Sequence, residues 1–137
     1  MKITWLGHAA FLLETGGLRI LTDPYDASDS RIYYRPITIS ADIVTISHNH
    51  FDHNHVAGLT GNPKVVKRVE KKTVRGVNFI GISSYHDNTK GSERGENTIF
   101  VIMAERLCIC HAGDLGHLLS TDQIKAIGQT DILLVPV

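Results

Sequence analysis

The sequence predicts one α+β domain made of short strands and a single short helix, and three observations carry that reading. At 137 residues the chain is long enough for one ordinary hydrophobic core and too short for two. Hydrophobic residues make up 42% and charged residues 20%, a globular composition that excludes a disordered or collagen-like chain. The apolar residues fall in short runs separated by Gly, Pro, Asn and Asp, which is how strands and their turns are spaced.

Three strands open the chain, Ile3 to Leu6, Phe11 to Glu14 and Leu18 to Thr22, with turn signals at Gly7 and Gly16-Gly17; together they predict an antiparallel meander. The polar stretch from Asp23 to Ser40, with Pro24 and Pro36, reads as a long loop of the kind that is often functional. The strand from Asp42 to Ser47 is apolar on both faces, as in the middle of a covered sheet. Val56 and Leu59 before Gly61-Asn62-Pro63 leave room for a short helical turn. Further strands are expected around Lys64 to Val69, at Val77 to Ile82, Thr98 to Met103 and Leu107 to Cys110. Ser120 with Gln123 three residues later predicts a capped helix whose apolar face carries Ile124, Ile127 and Leu119, and DILLVPV reads as a last buried strand.

Lysine plus arginine equals aspartate plus glutamate at 14 each, so no global field draws the chain to nucleic acid or to an anionic membrane. One local basic run, Lys64, Lys67, Arg68, Lys71, Lys72 and Arg75, is opposed only by Glu70; it reads as a solvated face before it reads as a phosphate patch. No stretch has the apolar length of a secretory signal or a membrane span. Cys108 and Cys110, two apart on one strand, lie about 7 Å apart at Cα, beyond disulfide reach, so free thiols and a cytoplasmic protein are expected.

Four of the eight histidines crowd into SHNHFDHNH, Ser47 to His55. The spacing is His48-x-His50-x-Asp52-His53. Leaving an extended strand, His48 and His50 project to one side, and if a helix follows, Asp52 and His53 point into the same hollow from its first turn. Imidazole with carboxylate suits zinc, iron or manganese rather than calcium, and so many donors in one segment suggest two ions rather than one.

This motif after a buried strand resembles that of the metallo-β-lactamase superfamily. WLGHAAFLLE and ILTDP upstream, and HAGD downstream, resemble its ascorbate-phosphate-lactonase-like branch of small metal-dependent hydrolases. The resemblance implies an αββα sandwich with two divalent ions, zinc first and manganese or iron as alternatives. It implies that His48, His50 and His86 hold one ion, that Asp52 and His53 hold the other, and that Asp114 bridges both. His8 and Asp23 are similar to residues that line or brace such a site, Asp23 as acceptor of a ring N–H; His111 is read as a supporting or core group. His55 and His117 read as polar surface residues.

The superfamily normally supplies one more histidine, after the strand that DILLVPV resembles. The resemblance therefore implies the N-terminal half to two-thirds of a sandwich, a single incomplete domain over residues 1–137, with the C-terminal part absent. An uncovered sheet face of that kind predicts self-association, which sedimentation tests. The function implied is a hydrolase in which a metal-bridging hydroxide attacks an ester, lactone, amide or phosphodiester of a small-molecule substrate while Asp52 orients it. The alternatives are a nuclease of the same fold and a non-catalytic metal-binding module.

Overall fold

The computed structural model describes residues 1–137. The chain gathers into two compact units, residues 1–66 and residues 67–137, each built on its own five-stranded sheet.

The first unit contains β1 (Lys2–Gly7), β2 (Ala10–Thr15), β3 (Leu18–Thr22), β4 (Ile43–Thr45) and β5 (Lys64–Val66), hydrogen-bonded in that order. The meander is as expected: β1 to β2 and β2 to β3 are antiparallel, and Gly16 and Gly17, both at positive φ, form the tight turn whose twist matches the strands it joins. From β3 the order continues in parallel through β4 to β5. Parallel neighbours need a crossover, and residues 23–42 supply it without a helix. Its anchor is Tyr25, buried, with its hydroxyl between the carbonyls of Leu6 and Arg35. Burial, and then the neighbouring Tyr34, push the Tyr25 phenol up. Leu21, Ala41 and Val44 form a core over which Leu6, Ile37, Ile39, Ile46, Val56 and Leu59 pack, so the crossover and the 3-10 turn at Val56–Gly58 cover the sheet.

The second unit contains β6 (Lys71–Val74), β7 (Val77–Tyr85), β8 (Glu96–Ala104), β9 (Leu107–His111), α1 (Thr121–Ile127) and β10 (Ile132–Leu134), in sheet order β10-β9-β8-β7-β6. All pairs are antiparallel except β9 with β10. Ile82, Ile99, Val101 and Cys110 form a core against which Leu115, Leu119 and Ile127 pack. The Ser120 and Gln123 capping box is present, and Gln123 also donates to the Ser83 carbonyl, tying α1 to β7.

Several expectations are corrected. β6 was hidden in the basic run: Lys71 and Lys72 occupy an exposed edge strand, where lysines discourage pairing with another sheet. The strand expected at Lys64 to Val69 stops at Val66. No α-helix follows the histidine cluster; residues 50–53 form a turn closed by His53 N–H to the His50 carbonyl, and the expected short helical turn comes only at Val56–Gly58, so Asp52 has no helix dipole to complement. Ile124 is 57% exposed, and β10 is a half-exposed edge rather than a buried strand, because an apolar run alone does not tell a central strand from an edge one. Ile124 and Leu133 instead line an apolar cleft of about 330 Å³ with Leu115, Leu119, Ile127 and Val135. Both cysteines are free thiols, and burial pushes Cys110 up to about 11, which leaves it inert. No helix is long and apolar enough to cross a membrane.

Candidate metal centre

The expected site residues fall in both units. His8, Asp23, His48, His50, Asp52 and His53 belong to the first, and His86, His111 and Asp114 to the second.

In the first unit the cluster grows from the ends of two parallel neighbours. Thr22 of β3 pairs with Thr45 of β4, so the residues that follow them, Asp23 and the segment 46–48, leave the sheet side by side. Asp23 is fully buried, takes a positive φ of 39°, and donates its backbone N–H to the Thr45 carbonyl at 2.9 Å. Its carboxylate accepts three bonds: from Ser47 N–H at 2.7 Å, from the Ser47 hydroxyl, and from His53 Nδ1 at 2.8 Å. A carboxylate only accepts, so His53 carries its ring proton on Nδ1 and presents an Nε2 lone pair. Asp23 is thus spent on holding other groups.

The His53 Nε2 atom lies 3.0 Å from His8 Nε2, and Asp52 Oδ2 lies 3.1 Å from the same His8 atom and 3.7 Å from His53 Nε2. His8 therefore stands among the donor atoms rather than behind them, on a positive φ of 49° at the end of the β1 hairpin. The His48 ring packs against His53, centroids 4.1 Å apart, and edge-on to His50 at 4.5 Å. The crossover loop braces the segment from outside: Asp26 N–H donates to the Phe51 carbonyl, and Arg31 stacks on the Phe51 ring with its guanidinium 4.0 Å from the centroid. Asp29 orients Arg31 through two side-chain bonds of 2.8 Å, and the guanidinium holds the Asp29 carboxyl down to about 2. His55, beside the cluster in sequence, turns away to Asp26 at 3.7 Å.

The second unit repeats the principle with antiparallel strands. β7 and β9 flank β8 and run the same way, so the loops that follow them emerge at one edge. There His86 Nε2 and Asp114 Oδ2 meet at 2.9 Å, both largely buried. The buried Asn97 places Asp114: its Oδ1 accepts Asp114 N–H at 3.0 Å while its amide donates to the Ala112 carbonyl and Ser84 Oγ. Gly116 N–H donates to the Tyr85 carbonyl, and His117 Nε2 accepts Tyr85 N–H, so His117 clamps the end of β7 instead of standing free on the surface. Asp87 organises the loop after His86, accepting from the backbone N–H groups of Thr89, Gly91, Glu93 and Arg94. Burial raises its carboxyl and those bonds outweigh burial, leaving it below the usual carboxylate range. His111 is 2% exposed on β9, a core position.

These donors fit a divalent cation. Metal bonds of about 2.0–2.2 Å in octahedral or tetrahedral array put neighbouring ligand atoms about 2.8–3.6 Å apart. His8, His53 and Asp52 hold their atoms at 3.0, 3.1 and 3.7 Å, with the His53 Nε2 lone pair, fixed through Asp23, turned inward.

Ser47, Asn97 and Asp87 escape the sequence reading. Each is a small polar residue next to, or one strand away from, a histidine or carboxylate, and only the hydrogen bonds set it apart from a turn residue.

Comparison with known proteins agrees with this chemistry. The family model described as the beta-lactamase superfamily domain matches residues 2–137. A UPF0173 metal-dependent hydrolase of Carboxydothermus hydrogenoformans is 30% identical, aligned over 100% of this chain and 72% of its own length, and one of Archaeoglobus fulgidus is 28% identical over 100% and 71%. A Thermotoga maritima crystal structure, ascribed to the Zn-dependent hydrolases of the metallo-beta-lactamase superfamily, superposes with a TM-score of 0.76 at 39% identity, over 96% of this chain and 58% of that one. An isothiocyanate hydrolase from Delia radicum gut bacteria, 17% identical with a TM-score of 0.65 over 86% of this chain and 64% of that one, shares the fold. The chain thus spans about 70% of the curated relatives it matches and 58% and 64% of the two solved ones. By its family match and its relatives, the chain belongs to the beta-lactamase superfamily, in the UPF0173 group of metal-dependent hydrolases.

Proposed function

We propose that this chain carries the metal-binding part of a hydrolase acting on a small molecule with an ester, lactone, amide or phosphodiester bond. The observation that carries it is the meeting of His8, Asp52 and His53 donor atoms in front of a buried carboxylate that accepts the outer proton of His53. Superfamily membership supports a ligand set of His48, His50 and His86 for one divalent ion, Asp52 and His53 for a second, and Asp114 for both, with the two units acting as one domain. His8 joins that set on its distances. Zinc is the first choice for a set of imidazoles and carboxylates, with manganese and iron as alternatives.

Bound ions of this kind acidify a water molecule and polarise a scissile carbonyl or phosphoryl group. The protein's own groups do the rest. Asp23 and Ser47 hold the rings in place before substrate arrives, which removes reorganisation from the reaction. Asp52, 23% exposed at the side chain and reachable from solvent, orients the attacking water and accepts its proton. Nucleic acid is the weaker choice of substrate, since Lys71 and Lys72 of the basic run have a role as edge-strand lysines and the net charge is zero.

The test is zinc- or manganese-loaded protein on a panel of esters, lactones and phosphodiesters, with Asp52→Ala beside it. The variant is expected to lose about 10²–10⁴-fold in kcat on any substrate that turns over, with its far-UV dichroism unchanged. Loaded protein that hydrolyses nothing on the panel, or an Asp52→Ala variant as fast as the parent, overturns the reading.

A further inference from the structure

We propose that Ser47 is a positioning residue that carries the orienting effect of Asp23 one step further, to His48, so that one buried carboxylate sets the ring protonation of two histidines. The inference rests on the metal-centre reading above and deepens it.

Ser47 is 3% exposed, and its hydroxyl owns one hydrogen. That oxygen lies against Asp23 Oδ2 on one side and 2.8 Å from His48 Nδ1 on the other. The carboxylate has no proton to give, so the hydroxyl proton points to Asp23. With it committed, Ser47 Oγ meets His48 Nδ1 only as an acceptor. His48 must therefore carry its proton on Nδ1, which puts the lone pair of the neutral ring on Nε2. His53 reaches the same state by direct contact, Nδ1 to Asp23 Oδ2 at 2.8 Å.

The arrangement makes a selective prediction. The Nδ1 proton of His53 is held by Asp23 directly, whereas that of His48 is held by Asp23 through Ser47. Removing the hydroxyl should release one ring and spare the other, an outcome that mere loosening of the segment does not produce.

Long-range proton–nitrogen spectra of ¹⁵N-labelled, metal-free protein at about pH 8, above the ordinary histidine range, read the tautomers directly. The expected result is Nδ1–H on both His48 and His53 in the parent, a shift of His48 alone toward Nε2–H in Ser47→Ala, and restoration in Ser47→Thr, which keeps the hydroxyl. Zinc affinity of the same proteins, measured by competition with a chelating dye, is expected to fall about 10–100-fold in Ser47→Ala and to recover in Ser47→Thr. Nε2–H on His48 in the parent overturns the proposal, as does a Ser47→Ala variant in which both rings change together or neither changes. Should Ser47→Ala not fold, the parent spectrum still decides. The tautomers are read without metal or substrate, so failure to hydrolyse any compound would remove the hydrolase reading and leave this result standing.

Discussion

Asp87 stands directly after His86 and resembles a ligand in sequence, yet both of its oxygens are spent on the backbone of its own loop, Oδ1 on Thr89 and Gly91 and Oδ2 on Glu93 and Arg94. Asp87→Asn would keep the Oδ1 bonds and turn an NH₂ group toward the Glu93 and Arg94 N–H donors, replacing two attractions with a donor–donor clash. The variant is expected to melt lower than the parent and to be cut faster by protease between residues 88 and 95. The pH dependence follows from the sign of the shift. The folded carboxyl titrates below its ordinary 3.8, so its contribution is complete above that value and is lost as pH falls further, through the depressed folded value. Melting curves of both proteins should therefore keep a constant gap from neutral pH down to about 4, closing below it. A gap that widens on acidification would show that Asp87 is not held in this way.

At the scale of elements, the hairpin β1–β2–β3, the buried β4 and the capped α1 were legible because each depends on its own few residues: a Gly-Gly turn, an apolar run, a Ser with Gln three places on. The His48, His50, Asp52 and His53 set was legible for the same reason, being nearly consecutive. What stayed hidden depends on register between distant strands. Nothing local tells Ser47 from any polar strand end until Thr22 pairs with Thr45 and brings Asp23 alongside. Asn97 opens no motif until β8 lies between β7 and β9. β6 was masked because lysine at a strand edge reads as solvated charge. Gly116 belongs to this hidden class. It is exposed, yet a Cβ there would lie 2.4 Å from the His86 carbonyl group and 2.5 Å from Asp87 N, all backbone that cannot swing aside. Gly116→Ala is expected to cost about 2 kcal/mol or more in denaturant unfolding. It should also weaken metal binding, since the strand end that carries His86 must move. A variant as stable as the parent would mean that the loop after β9 does not lie on His86 as described.

For the whole molecule, the division of donors between two units has a consequence that thermodynamics makes measurable. Each unit holds a cluster of its own, His8, Asp52 and His53 in one and His86 with Asp114 in the other. If, as proposed, the ions are shared, binding free energy stabilises both units at once; at 100 times the dissociation constant it amounts to about 2.7 kcal/mol. Hydrogen exchange separates this from two independent sites. Zinc added to metal-free protein is expected to slow exchange both at residues 46–55 and at residues 85–88 and 112–117, and a chelator to reverse it. His86→Ala is the decisive variant because it alters the second unit only. A shared centre predicts that it diminishes zinc protection at residues 46–55 as well, whereas independent sites predict full protection there and loss confined to the second unit. The same titration gives the stoichiometry: two ions per chain agree with the proposed ligand set. One ion, protecting residues 46–55 alone and indifferent to His86→Ala, would reduce the centre to the His8, Asp52 and His53 cluster and leave His86 and Asp114 as a structural pair.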